Sequence, residues 1–312
     1  MSAPVVFDPA EVAAELVTLR DFMRFAISQF RAHELVFGHG TTDAIDEAAF
    51  LLLEGLNLPI DRLDPFMDAR LMPEERRRLA DLVFARVTTR KPASYLLKRA
   101  YVGGVPFYVD ERVIVPRSFI GELLRTGLFT EQESPILIES EDVASVLDLC
   151  TGSGCLAILA AQTFPQAHVD AVDLSPDALE VARINVAQAA LGDRLELLQG
   201  DLFAPLAGRR YDVIITNPPY VDAEVMSALP AEYRHEPEMA LAGGPDGLDI
   251  VRRILADAGK HLTGTGGLLC EMGEGREILE EEFPELPFLW LDTHESSGEV
   301  FWLEAAALRG GV

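Results

Sequence analysis

Apolar side chains near the start of the chain fall at Val12, Leu16, Leu19, Met23, Ile27 and Phe30, at intervals of three and four residues. That is the period of a helix, and it predicts one amphipathic helix over residues 9–32. A second is predicted from Ala44 to Leu56, ending ahead of Pro59. A third starts with Pro73 in its first turn and runs through Leu79, Leu82 and Val83 to about Thr89. Residues 1–98 therefore read as a small helical domain whose apolar stripes pack on one another. The pattern changes at Tyr101. The stretch YVGGVPFYVDERVIVP alternates apolar and polar positions around Gly103-Gly104 and predicts a β-hairpin, a joint over residues 99–116.

From Ala144 strands and helices take turns. SVLDLC, HVDAVDL, RLELLQGDLF, YDVIITNPPY and GGLLCEMG read as strands. GCLAILAAQTF, SPDALEVARINVAQAA and DGLDIVRRILADAGKHL read as helices, the second with Ser175 as cap and Pro176 in its first turn. Such alternation implies an α/β domain over residues 117–312 with a doubly wound, mostly parallel sheet and ligands at the carboxyl ends of its strands. LPFLWLDT and SSGEVFWLEAA follow with no helix between them and predict an antiparallel C-terminal hairpin.

At 312 residues and 49% hydrophobic, the chain has material for two cores. Its opening residues lack a basic region followed by an unbroken apolar one, and no apolar run is long enough to span a bilayer, so a cytoplasmic protein is expected. Cys150, Cys155 and Cys270 fit neither a disulfide framework nor a zinc knuckle, and no metal site is expected. Charge is uneven. Residues 1–100 carry 13 basic and 15 acidic side chains, net −2, which leaves 13 and 36, net −23, for the remainder. A domain so acidic is poorly suited to a nucleic-acid backbone and better suited to a basic protein, although solubility alone accounts for the charge equally well.

The chemistry gathers after the strands. Asp148, Thr151, Gly152, Ser153, Gly154 and Cys155 lie where the first strand of the sheet becomes a helix, and glycines there admit a ligand to the backbone. Gly152, Gly154 and Ala157 also satisfy a dinucleotide fingerprint, so the loop alone leaves NAD open. Asp173, 19 positions beyond Gly154, ends the second strand, where a carboxylate can accept both hydroxyls of a ribose. Asp201, with Leu202 and Phe203, follows the third strand and marks a place for an adenine. The deciding feature is Asn217-Pro218-Pro219-Tyr220 after the fourth. Two prolines remove two N–H donors, so the turn offers carbonyls and the Asn217 side chain, an acceptor site for a planar NH₂ group on which Tyr220 can stack.

The glycine loop, Asp173 and the Asn-Pro-Pro-Tyr turn resemble those of class I amino-group methyltransferases. The KPASYLL segment, GVPFYVDERVIVPRS and YRHEPEMALAGGPDGL are similar to the HemK-like glutamine N(5)-methyltransferase family over almost the whole chain. VDERVIVPRSFIGELL and LDLCTGSGCLAI resemble the branch that acts on ribosomal protein more than the release-factor branch. The resemblance implies S-adenosylmethionine as cofactor, held by the loop, Asp173 and Asp201 to Phe203. It implies Asn217 to Tyr220 as the grip on a substrate glutamine amide, and large-subunit ribosomal protein number three, methylated before assembly, as the partner. In that scheme residues 1–98 recognise the substrate. Arg117 is a further candidate, either closing over the cofactor carboxylate or pairing with Glu122. His235 and Glu236 are weaker ones for a substrate channel. The alternatives are an adenine N(6) DNA methyltransferase, which the net charge of −23 disfavours, and a release-factor glutamine methyltransferase; the Asn-Pro-Pro-Tyr turn argues against an NAD-dependent oxidoreductase and a non-enzymatic assembly factor.

Overall fold

The computed structural model describes residues 6–129, 135–136, 138–294 and 296–310, and the chain forms two compact units. The first comprises the described residues up to Ala100 together with Pro230–Glu236. Its helices are α1 (Pro9–Glu15), α2 (Leu19–Ala32), α3 (Ala44–Gly55), α4 (Pro73–Thr89) and α5 (Ala93–Leu97). The helix predicted over residues 9–32 is thus two helices. Thr18 breaks it: its side chain accepts from Asp21 N, and the Asp21 carboxylate accepts from Thr18 N at 2.8 Å, a capping box that starts α2 afresh. The helical period runs through the break because Leu16 and Leu19 pack into the same core.

That core centres on Phe22, Phe30, Leu51, Leu52, Leu79 and Val83, all without exposed surface. Charge lies inside it too. The fully buried Arg86 donates from Nε to Glu47 and from Nη2 to the Val36 carbonyl at 3.0 Å. Glu232, equally buried, accepts from Val36 N at 3.0 Å and pairs with Arg90 Nη2 at 2.7 Å. Nothing in the hydrophobic pattern placed Pro230–Glu236 in this unit; the segment is held by polar partners.

The second unit begins with β1 (Ala100–Val102) and β2 (Val105–Phe107), joined by Gly103 (φ +55°) and Gly104 (φ +77°). Positive φ at both positions makes the tight turn that suits two twisted strands. The predicted hairpin is shorter than its alternation, because beyond Phe107 the backbone bonds to a side chain instead of a strand. Asn185 accepts from Tyr108 N at 2.7 Å and donates to the Tyr108 carbonyl at 3.0 Å. After α6 (Phe119–Arg125) comes the sheet: β3 (Ser145–Leu149), β4 (His168–Asp173), β5 (Leu195–Gln199), β6 (Tyr211–Thr216), β7 (Leu262–Glu271), β8 (Leu289–Asp292) and β9 (Ser297–Glu304).

The strand order is β5-β4-β3-β6-β7-β9-β8. The first five run parallel, while β9 is antiparallel to both β7 and β8. Between them lie α7 (Cys155–Thr163), α8 (Pro176–Gln188), α9 (Ala223–Ala228), α10 (Asp249–His261) and α11 (Arg276–Glu282), with α12 (Ala305–Gly310) last. Val146, Val213 and Ile215 enter the core on one face, Leu147 and Ile214 the core on the other. Central strands buried on both sides need unbroken apolar runs, and these strands have them. The winding reverses between β3 and β6, so the carboxyl ends of these two strands flank the crevice where such sheets bind ligands. Among the described residues no helix is long and apolar enough to cross a membrane.

Candidate active site

Beyond Leu149 the chain turns sharply through Cys150 (φ +58°), Gly152 (φ +54°) and Gly154 (φ +79°). A side chain at Gly154 would be strained, and its Cβ would stand 3.2 Å from the Ala182 Cβ on α8. The loop is braced from below. Asp148, fully buried, accepts from Thr151 Oγ1 at 2.5 Å and Ala157 N at 3.0 Å through Oδ2, while its Oδ1 is buried without a partner. Burial pushes this carboxyl up to about 7. Ser153 is buried, and its carbonyl accepts from Asn185 Nδ2 at 2.8 Å. Burial likewise pushes the Cys155 thiol up to about 12 and Cys150 higher still, so both are neutral and unreactive.

Asp173 stands at the end of β4, half-buried. Its Oδ2 accepts from Gly152 N and its Oδ1 from Ser175 N, both at 2.8 Å. Ser175 caps α8 by accepting from Ala178 N at 3.2 Å. The cap is therefore not the task of Asp173, which ties the glycine loop to the neighbouring strand end and keeps further lone pairs on both oxygens. Desolvation raises its pKa.

After β5 the structure departs from expectation. Asp201 is exposed and ion-paired to Arg253 at 2.7 Å. Leu202 adopts φ +48°, which turns Phe203 into the core, where it retains 7% exposure and stacks on His261 with centroids 4.7 Å apart. The place expected for an adenine thus holds an ion-paired Asp201 and a Phe203 ring that His261 covers on one face.

The Asn-Pro-Pro-Tyr turn leaves the end of β6, where Thr216 Oγ1 donates to the Leu149 carbonyl at 3.0 Å and fixes β6 against β3. Asn217 Nδ2 donates to the Arg117 carbonyl at 3.1 Å. One of the two Nδ2 hydrogens is thereby engaged, which leaves the second hydrogen and the acceptor Oδ1. Pro218 is buried; Asn217, Pro219 and Tyr220 are half-buried. The Tyr220 hydroxyl donates to Glu271 Oε1 at 3.2 Å. Arg117 Nη1 donates to the Val115 carbonyl at 3.1 Å, and the Glu122 carboxylate accepts from His294 N at 3.0 Å.

Sequence reasoning missed the wall behind this turn. A Cβ at Gly247 (φ +81°) would stand 2.3 Å from the Tyr220 carbonyl oxygen, and one at Gly243 would stand 2.6 Å from the Tyr220 Cα. The signal was the cluster of glycines in ALAGGPDGL, which let that loop close over the turn. Glu271, at the end of β7, was also missed, since a single acid after an apolar strand has no distinguishing pattern.

Other candidates lie apart from the turn. His235 contacts the Thr89 carbonyl at 3.0 Å and Glu236 lies 3.4 Å from His39, so both serve the helical unit rather than a substrate channel. The structure also gathers His168, Asp170 and Glu196, a possible ligand set that spacing along the chain did not reveal. Arg209 Nη1 already lies 2.7 Å from Asp170 and 2.8 Å from Glu196 and occupies the space between the two carboxylates that a metal ion would need.

A doubly wound sheet with a braced glycine loop after its first strand, a carboxylate after its second and an acceptor-rich Asn-Pro-Pro-Tyr turn after its fourth defines a class I methyltransferase. Residues 132–232 match the family model described as the methyltransferase small domain. The chain is 60% identical over 295 residues to the ribosomal protein uL3 glutamine methyltransferase of Bradyrhizobium diazoefficiens, covering 94% of this chain and 92% of that one. It is 55% identical to the protein of that name from Bordetella pertussis, over 95% and 97% of the two chains. With the one from Neisseria gonorrhoeae it shares 51%, over 96% and 98%. The chain belongs to the ribosomal protein uL3 glutamine methyltransferase family.

Proposed function

We propose that this protein methylates the side-chain amide nitrogen of a glutamine in ribosomal protein uL3, in the cytoplasm and before the ribosome assembles. The observation that carries the reading is the Asn-Pro-Pro-Tyr turn at the end of β6, whose Asn217 is fixed by the bond from Nδ2 to the Arg117 carbonyl and has Oδ1 to offer as an acceptor. S-adenosylmethionine supplies an electrophilic methyl group when bound. The residues suit it: the loop Thr151–Cys155 opens backbone toward a ligand, Asp173 has lone pairs for hydroxyls, and the unpartnered Asp148 Oδ1 suits an ammonium group.

An amide nitrogen is a poor nucleophile because its lone pair is delocalised. Asn217 Oδ1 and the Pro218 carbonyl accept its two hydrogens, fix its orientation and stabilise the positive charge that grows as the N–C bond forms. The methyl–sulfur bond would break as the N–C bond forms, its electrons staying on sulfur, and one of those hydrogens would then leave as a proton to solvent water and restore the neutral amide. Tyr220 packs against the planar group. Pro218 and Pro219 contribute no donor that would compete for the acceptors.

Two predictions test this. Asp173→Ala is expected to weaken S-adenosylmethionine binding by about 1.5–3 kcal/mol, the loss of a charge-assisted bond, measured by calorimetry on the folded variant. An unchanged dissociation constant removes Asp173 from the cofactor site. The second is incubation with labelled S-adenosylmethionine and, in parallel, free uL3, assembled large subunits, a release factor and an adenine-containing oligonucleotide. Free uL3 should be labelled on a glutamine and the assembled subunit spared. Labelling should weaken with salt, because a net charge of −23 beyond residue 100 attracts a basic substrate. Label on the oligonucleotide with uL3 untouched overturns the reading in favour of adenine.

A further inference from the structure

The tetrapeptide is anchored at both ends to one short stretch of chain. At its start, Asn217 Nδ2 donates to the Arg117 carbonyl. At its end, the Tyr220 hydroxyl donates to Glu271 Oε1, and Glu271 Oε2 accepts from Ser118 Oγ at 2.6 Å and Phe119 N at 2.9 Å. Following these bonds gives a closed ring: Asn217, Arg117, Ser118, Glu271, Tyr220 and back along the backbone. Three donors converge on one carboxylate that retains 1% exposure. We infer that Glu271 is a positioning residue for methyl transfer, the carboxylate that holds Tyr220 and the 117–119 stretch in register so that the Asn217 acceptor stays aimed at the substrate amide.

An ionised carboxylate is the group this arrangement needs. It accepts from all three donors and offers none, whereas a protonated carboxyl or a glutamine presents a donor to one of them and leaves that bond reversed or broken. A buried donor left without a partner is costly, and the cost is met by releasing one side of the ring. The groups facing the cluster are Arg117, Tyr220 and Cys270, with Glu299 adding its charge around Tyr220. Burial pushes Tyr220 and Cys270 upward, away from neutrality. It brings the Glu271 carboxyl up to about 7. The carboxyl is therefore charged above neutral pH and protonated below it, so the ring should loosen as pH falls.

The inference rests on the methyltransferase reading, and the experiment separates the two. Wild type and Glu271→Gln are compared on free uL3 from pH 6 to pH 9, with S-adenosylmethionine affinity measured alongside and folding checked by circular dichroism. Glu271→Gln should bind S-adenosylmethionine within about twofold of wild type and turn over on the order of tenfold or more slowly at the alkaline end, as misplacement of the acceptor predicts. The wild-type rate should fall below about pH 7, and the variant should show a shallower acid limb, the part left by Asp148, whose carboxyl burial also pushes up to about 7. Hydrogen exchange of peptides covering residues 117–121 and 217–222 gives a readout independent of activity and should be faster in both segments of the variant. A variant with the wild-type rate, one whose acid limb is as steep as the wild type's, or one with unchanged exchange overturns the role of Glu271. A wild type that leaves uL3 unlabelled sinks the functional reading alone, and exchange then decides the ring by itself.

Discussion

Asn217→Ala is expected to lower turnover on uL3 by roughly 10²–10³-fold, the scale seen when one preorganised acceptor or donor is removed from a developing charge. Affinity for S-adenosylmethionine should stay within about twofold, because Asn217 Oδ1 is aimed at the substrate nitrogen while the glycine loop and Asp173 belong to other strand ends. Alanine also frees the Arg117 carbonyl, so part of the loss comes from a loosened 117–119 stretch. Asn217→Asp separates these contributions. Its carboxylate keeps the outward acceptor and gives up the donation to Arg117, and should recover part of the rate. Single-turnover measurements at saturating cofactor isolate the chemical step. An alanine variant that methylates at the wild-type rate overturns the acceptor mechanism.

Arg86→Met is expected to destabilise the helical unit by about 3–5 kcal/mol, the cost of leaving the buried Glu47 carboxylate without its cation while Glu232 keeps Arg90. Arg86 has no exposed surface, donates to Glu47 and the Val36 carbonyl, and lies 3.8 Å from Glu232. Methionine fills most of the volume but leaves Glu47 with Thr41 Oγ1 as its remaining side-chain donor, at 2.9 Å. Replacing both partners, Arg86→Met with Glu47→Leu, should recover much of the loss, since a buried pair exchanged for apolar groups of similar size is often neutral. Trp290 and Trp302 both lie in the other unit, so their fluorescence does not follow this change. Hydrogen exchange of peptides from α2 and α4 does. Equal protection in wild type and Arg86→Met would show that the buried charges contribute nothing net.

Wherever a structural choice depended on neighbours in sequence, it was legible. Pro73 in a first turn, an apolar stripe and an arginine able to close with φ +58° define α4 within one stretch of chain. The run Val213–Ile215 announces a central strand, and Ser175-Pro176 announces α8. The Asn-Pro-Pro-Tyr turn was legible for the same reason, because its chemistry lies in four consecutive residues whose backbone cannot donate.

Choices that depended on residues far apart were not legible. The single helix over residues 9–32 failed because Thr18 and Asp21 stop one helix and start another without disturbing the apolar period, as both halves face the same core. The stacking of Phe203 on His261, 58 positions on and past a left-handed Leu202, left no trace in the local pattern. By itself the sequence determined the elements, the winding of the sheet and the acceptor turn, since hydrophobic period and proline chemistry act over a few residues. Only the tertiary structure decided that Asn217 Nδ2 meets the Arg117 carbonyl, that Pro230–Glu236 joins the helical unit, and that Glu271 closes the ring behind Tyr220. Each of these depends on a hydrogen bond or ion pair between groups brought together by folding, and one buried polar partner leaves no periodic trace in the chain.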